Sequence, residues 1–511
     1  MLVFCALYLV LCIVNAQPTI QWTKSLGGSG EDDGTCICLS SDGGFIVCGL
    51  SFSNNGNVFG NHGSWDGWLV KLNSSGAIQW TKCYGGSSID RINSIIQTND
   101  GGYICAGYTY SNDLDVSGNH GHGDAWILKL NDTGAIQWTK CYGGTSGASE
   151  AFTIIQTNDG GYIFSGGTAA NDGDLIGGGY HGGGDGWVVK LNNIGTIQWQ
   201  KCYGGSTNDC FYKMIPTNDG CFAMSGIIYS NDGDGCSANH GGGDIWATKI
   251  DSSGHLLWSN CLGGNGYEVS YSIIQTLDGG FAVGGYTESS NNGDVMCGTH
   301  TWYILLVAKL TDSGSFQWSK CYADTIANGG FLSPSNDSGF VIAGNSSYWG
   351  AWIVKVDISG NIHWTGRYGS YNGNEDVSGI IHCNDGGYAI ITSSNGTNHD
   401  VTGHHGALGT SDYWVVKLAP DTATGIDEIK TLGGITVYPN PASSSITVKS
   451  EELRVMSKEL KVTDVYGRVV YKEMLTASET KIDVSKWSAG VYFYEVREAN
   501  GTSRGKFIVQ Q

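Results

Sequence analysis

Residues 92–140 read "INSIIQTNDGGYICAGYTYSNDLDVSGNHGHGDAWILKLNDTGAIQWTK". Four short runs, "INSIIQT", "GYICAGYT", "AWILKL" and "AIQWTK", are rich in β-branched and aromatic residues. Gly, Asn and Asp clusters separate them, which is the signature of strands between turns. The first two runs are joined by a tight "ND-GG" turn and the last two by a short "NDTG" turn. The outer-to-inner connector and the loop between the second and third runs are longer. In an up-and-down sheet these fall on one face.

The unit recurs. "IQW" and its variants place Trp at 22, 80, 138, 199, 258, 318 and 364, and "W-x-x-K" places Trp at 68, 126, 187, 246, 352 and 414. Four-stranded units repeating at about 60 residues predict an all-β fold, a seven-bladed β-propeller over residues 17–418. The chain enters with a lone outer-type strand at 20–24 and the array ends at 413–418 without one. The first strand is therefore expected to complete the last blade. This order resembles the quinoprotein-type propellers in architecture, with no cofactor motif.

The repeated Trp residues are expected to pack between blades, because large aromatics dominate core burial. The Lys residues in step with them (Lys71, Lys129, Lys190, Lys249, Lys309, Lys355 and Lys417) read as structural ion pairs or snorkelling stems, not catalysts.

The first sixteen residues, "MLVFCALYLVLCIVNA", form an apolar run ending in short residues and read as a secretory signal over 1–16. No later stretch is long enough to span a membrane, so the mature chain is expected to have no transmembrane segment. The formal net charge of −20 disfavours nucleic acid and anionic membranes as partners. A polar linker follows at 419–434, and short alternating strands over 435–511 predict a small Ig-like β-sandwich.

That tail carries Tyr438-Pro439-Asn440-Pro441, then Tyr466-Gly467-Arg468, then Gly490-Val491-Tyr492. It resembles the C-terminal type A sorting domain of the type IX secretion system. The resemblance implies the type IX machinery as a partner, export through the periplasm to the outer-membrane surface or medium, and removal of the tail on the way. The repeats also resemble uncharacterised propeller-like repeats of secreted proteins.

Candidate sites lie on the long-loop face. Trp65, Trp302 and Trp349 fall outside the repeat frame and could stack on a sugar ring, or pack locally. The Asn-Asp-x-Asp loops offer Asp113, Asp115, Asp172, Asp174, Asp232, Asp234 and Asp294 as oxygen ligands for calcium; the competing reading is a duplicated Asx-turn. No other cofactor is expected. Cys83, Cys141, Cys202, Cys261 and Cys321 share one repeat position and read as buried thiols, too far apart round a sevenfold ring for the roughly 7 Å disulfide limit. Cys236 and Cys297, in loops of adjacent blades of a secreted chain, are a candidate disulfide. The leading functional reading is a non-enzymatic surface binder of a glycan or a surface protein. The alternative is a polysaccharide hydrolase or lyase using Asp90, Glu150, Asp209, Glu268, Glu375 or Asp376 at the channel mouth.

Overall fold

The computed structural model describes residues 17–235, 239–298, 300, 302–322, 329–346, 350–371, 373–407, 409–420, 435–438, 442–450, 458–464, 468–475, 477, 479–498 and 501–510. The signal segment, Trp349, Cys236, Pro439–Pro441, Gly467 and most of the linker lie outside them. The chain divides into two compact units, Met1–Asp421 and Thr422–Gln511.

In the first unit the quoted stretch forms strands Asp90–Gln97, Tyr103–Thr109, Asp124–Leu130 and Ile136–Tyr142, hydrogen-bonded in that order into one antiparallel sheet. Seven such four-stranded sheets are present among the described residues. Helix is confined there to one short 3-10 turn, Gly173–Leu175. The inner strands lie side by side in a circuit, and the inner strand of the seventh sheet, Glu375–His382, meets that of the first, Asp32–Leu39. The array is thus a closed, propeller-like ring.

Closure uses the expected strand. Ile20–Leu26 pairs antiparallel with Asp412–Leu418, from Ile20 opposite Leu418 to Leu26 opposite Tyr413. The reason is local: the third strand of the last sheet has no following partner in sequence, and its exposed edge would leave peptide groups unpaired.

Apolar clusters fill the junctions between sheets. One joins Ile104, Ala106 and Ile127 of the second sheet to Phe164, Trp187 and Val189 of the third. Third-strand Trp residues are buried in these seams, with Trp68, Trp187, Trp246 and Trp414 fully so. Outer strands clasp their neighbours. The hydroxyls of Tyr84, Tyr142, Tyr203 and Tyr322 donate to the carbonyls of Gly134, Gly195, Gly254 and Gly360 in the next sheet's turn. At the closing junction Tyr368 donates instead to the Pro18 carbonyl, at 2.7 Å.

The seven repeat lysines sit under the ring's other face. Each ammonium pairs with an Asp of the "DGG" turn or of its "DGC" or "DSG" equivalent, Lys71 with Asp42 at 2.8 Å and Lys309 with Asp278 at 3.0 Å among them. Lys71 also donates to the Leu72 carbonyl and to Gln79, so the buried nitrogen is fully bonded.

In the second unit, strands Ile435–Tyr438, Ser445–Ser450 and Glu479–Asp483 form one sheet, and Lys458–Thr463, Val469–Leu475, Gly490–Glu498 and Gly501–Val509 form another. Ile446, Val448 and Ile482 of the first sheet share a core with Leu460, Val462, Val496 and Phe507 of the second.

Candidate functional site

The long loops answer for their Asn and Asp residues by what they hold. In the first five sheets the loop wraps the Gly-Gly turn of the connector entering its own sheet. In the second sheet Asp113 Oδ1 accepts the Ser87 N–H at 2.8 Å, and the Asp115 N–H donates to the Gly85 carbonyl at 3.2 Å. Asp172 and Asp174 repeat this on Ser146 and Gly143, and Asp232 and Asp234 on Ser206 and Gly204. Where the role needs only an acceptor, Asn serves: Asn55 takes the Ser29 N–H, and Asn292 takes that of Asn265 while Asp294 donates its N–H to Gly263. The fit leaves no room for a side chain on the turn, since a Cβ at Gly86 would lie 2.3 Å from Asp113 Oδ1. These are Asx-type anchors of the connector. Among the described residues no group of three or more His, Cys, Asp or Glu converges as a metal would require.

Four of the acids suggested for catalysis are consumed in the same construction. Asp90 accepts the Gly86 N–H at 2.7 Å and the Ser111 hydroxyl, and Thr109 bonds its other oxygen. Asp209, Glu268 and Glu375 are buried likewise and accept the backbone N–H groups of Gly205, Gly264 and Ser370. None of these four lines the channel cavities described below. The inner strands alternate, so the residue after each buried acid is the one free to turn toward the axis.

Beside Asp90 lies the buried Asp66, the first residue of the preceding sheet's third strand. Its Oδ2 accepts the backbone N–H and the ring Nδ1 of His62, at 2.9 and 2.7 Å, while Oδ1 has no partner. Asp185 repeats the arrangement with His181. Burial first, then the neighbouring carboxylate, pushes Asp66 and Asp185 up to about 6; Asp32 rises to about 6 for the same reasons, beside Asp412. A folded value above the unfolded one means that protonation favours the fold. The contribution is complete below the unfolded value of 3.8 and is lost as pH rises through about 6. The turn aspartates paired with lysine, such as Asp100 and Asp159, are held down near 2. Their contribution fades only in stronger acid, below the window of interest. The ring should therefore melt higher at pH 5 than at pH 7.5. Asp66→Asn, whose amide can donate toward Asp90, should reduce that difference by its own share, and Asp32→Asn with Asp66→Asn and Asp185→Asn should remove most of it; an unaltered profile in the triple variant would assign the effect elsewhere.

The channel is where the repeats diverge. Every inner strand carries a β-bulge at one register position, at Thr35, Asn93, Phe152, Tyr212, Tyr271, Gly330 and Ser378. A bulge re-aims a side chain and recurs beside sites. Six of these residues, with Phe331 in the place of Gly330, surround a cavity of about 130 Å³ to which all seven inner strands contribute. Four consecutive sheets supply an aromatic arc. Phe152 and Tyr212 ring centroids lie 5.0 Å apart, Tyr212 and Tyr271 5.4 Å, and Tyr271 and Phe331 5.9 Å. The remaining arc is Thr35, Asn93 and Ser378. Phe152 also lines an adjoining cavity of about 320 Å³ with Arg91, Tyr108, Tyr110 and Glu150.

Of the suggested acids Glu150 lines the larger cavity, and Asp376 lines neither. Glu150 Oε1 accepts the Asn93 amide at 2.8 Å, and burial raises its affinity for protons against the opposing pull of Asn93 and Arg91. Asp376 accepts the Asn345 amide at 3.0 Å and is raised by burial and by Asp33.

The off-frame tryptophans separate. Trp65 is half-buried and packs on Phe52, centroids 5.5 Å apart, while its carbonyl accepts the Asp90 N–H. Trp302 is 61% exposed. It precedes Tyr303, whose ring meets Tyr286 at 5.1 Å, and Tyr286 meets Tyr271 of the arc at 6.2 Å. A chain of rings thus runs from the loop surface into the channel. The aromatic arc was missed in the sequence, although a signal existed: five residues before each "T-x-DGG" threonine or its equivalent, one position varies from Thr and Asn to Phe and Tyr while its flanks repeat.

The cysteine expectation is corrected. Cys297 is bonded to Cys321, Cα atoms 5.2 Å apart, and not to Cys236 of the neighbouring sheet. The long loop runs over the outer strand of its own sheet, as the bond from Ser319 Oγ to the Asp294 carbonyl shows, so its cysteine meets the repeat-position cysteine there. Cys261 is disulfide-bonded too, which leaves Cys83, Cys141 and Cys202 as the free thiols of that set.

In the tail, Tyr492 is buried, stacks on Phe507 at 5.8 Å and donates to the Ser488 carbonyl, whereas Tyr438 and Gly490 are exposed. No helix among the described residues is long and apolar enough to cross a membrane.

The chain is similar to the regulatory protein FlaEY of Caulobacter vibrioides, 24% identical over 298 residues that cover 53% of this chain and 31% of that protein. It thus spans about a third of that curated relative's length. Among solved structures it is similar to a protein of unknown function from Dyadobacter fermentans, at 10% identity and a TM-score of 0.40 over 79% of this chain and 99% of the other. It is also similar to puromycin hydrolase, at 10% identity and a TM-score of 0.45 over 85% of this chain and 62% of that one. The decisive match is in the tail: residues 436–510 fit the model of the secretion system C-terminal sorting domain, so the C-terminal unit belongs to the type IX sorting family and marks a secreted or cell-surface protein.

Proposed function

We propose that the mature protein is a surface-delivered, seven-bladed binding propeller whose ligand enters the channel mouth on the long-loop face, brought there through the periplasm by an Ig-like sorting tail. One observation carries this reading. A ring built by duplication has been left alike at its anchors, seams and lysine pairs, yet it differs from sheet to sheet at the bulge positions that line the axis. Packing does not demand that difference, since the bulge repeats with small and large residues alike.

The test uses the fluorescently labelled full chain on isolated cell envelopes. Tyr212→Ala with Tyr271→Ala should lower retention at least tenfold with the melting temperature kept within a few degrees. Retention unchanged in that folded variant would end the reading. The hydrolytic alternative draws on the raised proton affinity of Glu150 and Asp376. Release of soluble sugars from the envelopes that stops in Glu150→Gln would favour it.

A further inference from the structure

We infer that the channel takes the end of an uncharged oligosaccharide, one ring lying against Tyr212 and Tyr271 and its hydroxyls facing Thr35, Asn93 and Ser378; this rests on the channel mouth being the binding surface. Three features of the site converge on that class.

The first is shape. A cavity of about 130 Å³ beside one of about 320 Å³, with Phe152 lining both, is of small-ligand size and cannot admit a folded protein surface. A protein partner would be held to the rim, where the divergent residues are not. The second is the division into two arcs. A pyranose has an apolar face of C–H groups and a girdle of hydroxyls. An aromatic wall opposite small polar side chains matches both at once: the Thr35 and Ser378 hydroxyls donate to the Ile92 and Asp376 carbonyls, which leaves their oxygens as acceptors for sugar hydroxyls. Asn93 is already oriented for this. Its amide nitrogen donates to Glu150 at 2.8 Å and to the Ala151 carbonyl at 3.0 Å, which turns its amide oxygen into the remaining acceptor.

The third is charge. The charged residues that line the two cavities are Lys213 in the smaller and Arg91 and Glu150 in the larger, so neither cavity presents a strong excess of one sign. That near-balance suits a neutral chain and offers no cluster of cations to hold a sulfated or uronic acid one. The ring contacts between Tyr271, Tyr286 and Tyr303 continue the aromatic wall out to Tyr303, next in sequence to the exposed Trp302, so that further sugar units have a path along the loop surface.

The experiment is isothermal titration of the full chain with cellohexaose, xylohexaose, mannohexaose, laminarihexaose and chitohexaose. Oligogalacturonate and chitosan hexamers serve as charged counterparts. At least one neutral chain should bind, its Kd should weaken tenfold or more in Tyr271→Ala, and Tyr271→Phe should retain most of the affinity. Should Tyr271→Ala fail to fold, Ser378→Trp blocks the same cavity from the polar arc and should abolish binding. The inference is overturned by no neutral chain binding at millimolar concentration, by charged chains binding as well, or by binding indifferent to both variants. The same neutral chains are then added to the envelope assay. Channel-dependent retention that no neutral sugar displaces would sink the sugar assignment and spare the binding reading; retention indifferent to the channel variants would sink the binding reading itself.

Discussion

A chain lacking residues 17–24 should fold with an open ring and lose on the order of 5 kcal/mol of stability. Ile20, Trp22, Thr23 and Lys24 pair with Leu418, Lys417, Val416 and Val415, and the deletion removes all four. Each lost backbone bond costs about 0.5–1.5 kcal/mol and each exposed apolar side chain about 1.5–3. Trp22, which packs edge-on against Phe45 at 5.6 Å, goes as well. The seventh sheet would keep only the strands Glu375–His382, Tyr388–Ser394 and Asp412–Leu418, with the last as a raw edge. The acceptor of the Tyr368 hydroxyl, the Pro18 carbonyl, disappears with it. The melting temperature should fall by about 5–10 °C for a ring of this size. A melting curve that does not move would mean that the strand closes nothing.

The second large effect is on delivery. Removing residues 435–511 should cut the extracellular and surface fraction at least tenfold and strand a folded ring inside the cell. The tail has its own core, with Leu460, Val462, Val496 and Phe507 fully buried, and forms a compact unit from Thr422 onward. A unit with its own core can be recognised and removed without unfolding its neighbour. The truncated ring should therefore show the same thermal transition as the ring in the full chain. Tyr492→Asp, which places a charge in that core beside Phe507, should reproduce the export defect. Immunoblots of medium, surface and periplasmic fractions measure both. Undiminished export of either variant would remove the tail from the delivery route.

Much of this was legible before any coordinates. The strands of each sheet are written in runs of β-branched and aromatic residues, and the turns in Asn, Asp and Gly, because both are preferences of the chain over a few residues. Closure was legible for a bookkeeping reason. An outer strand at 20–24 with no sheet before it and a third strand at 413–418 with none after it can satisfy each other. The sorting tail was legible from Tyr438 and Gly490-Val491-Tyr492, because a short motif keeps its residues adjacent.

What only the tertiary structure decided lies between units. That Asp113 and Asp172 hold the Gly-Gly connectors depends on where a loop passes over a turn some 26 residues away. Cys297 meets Cys321 and not the neighbouring sheet for the same reason: the loop's path is set by packing on its own outer strand. The channel is the clearest case. Thr35, Asn93, Phe152, Tyr212, Tyr271 and Ser378 stand about 60 residues apart, apart from the wider last interval, and nothing local ties them together. Strand periodicity predicts that a residue faces one side of a sheet, but a bulge shifts that register. Which of these side chains share one cavity is decided only when seven bulged strands are brought round a common axis.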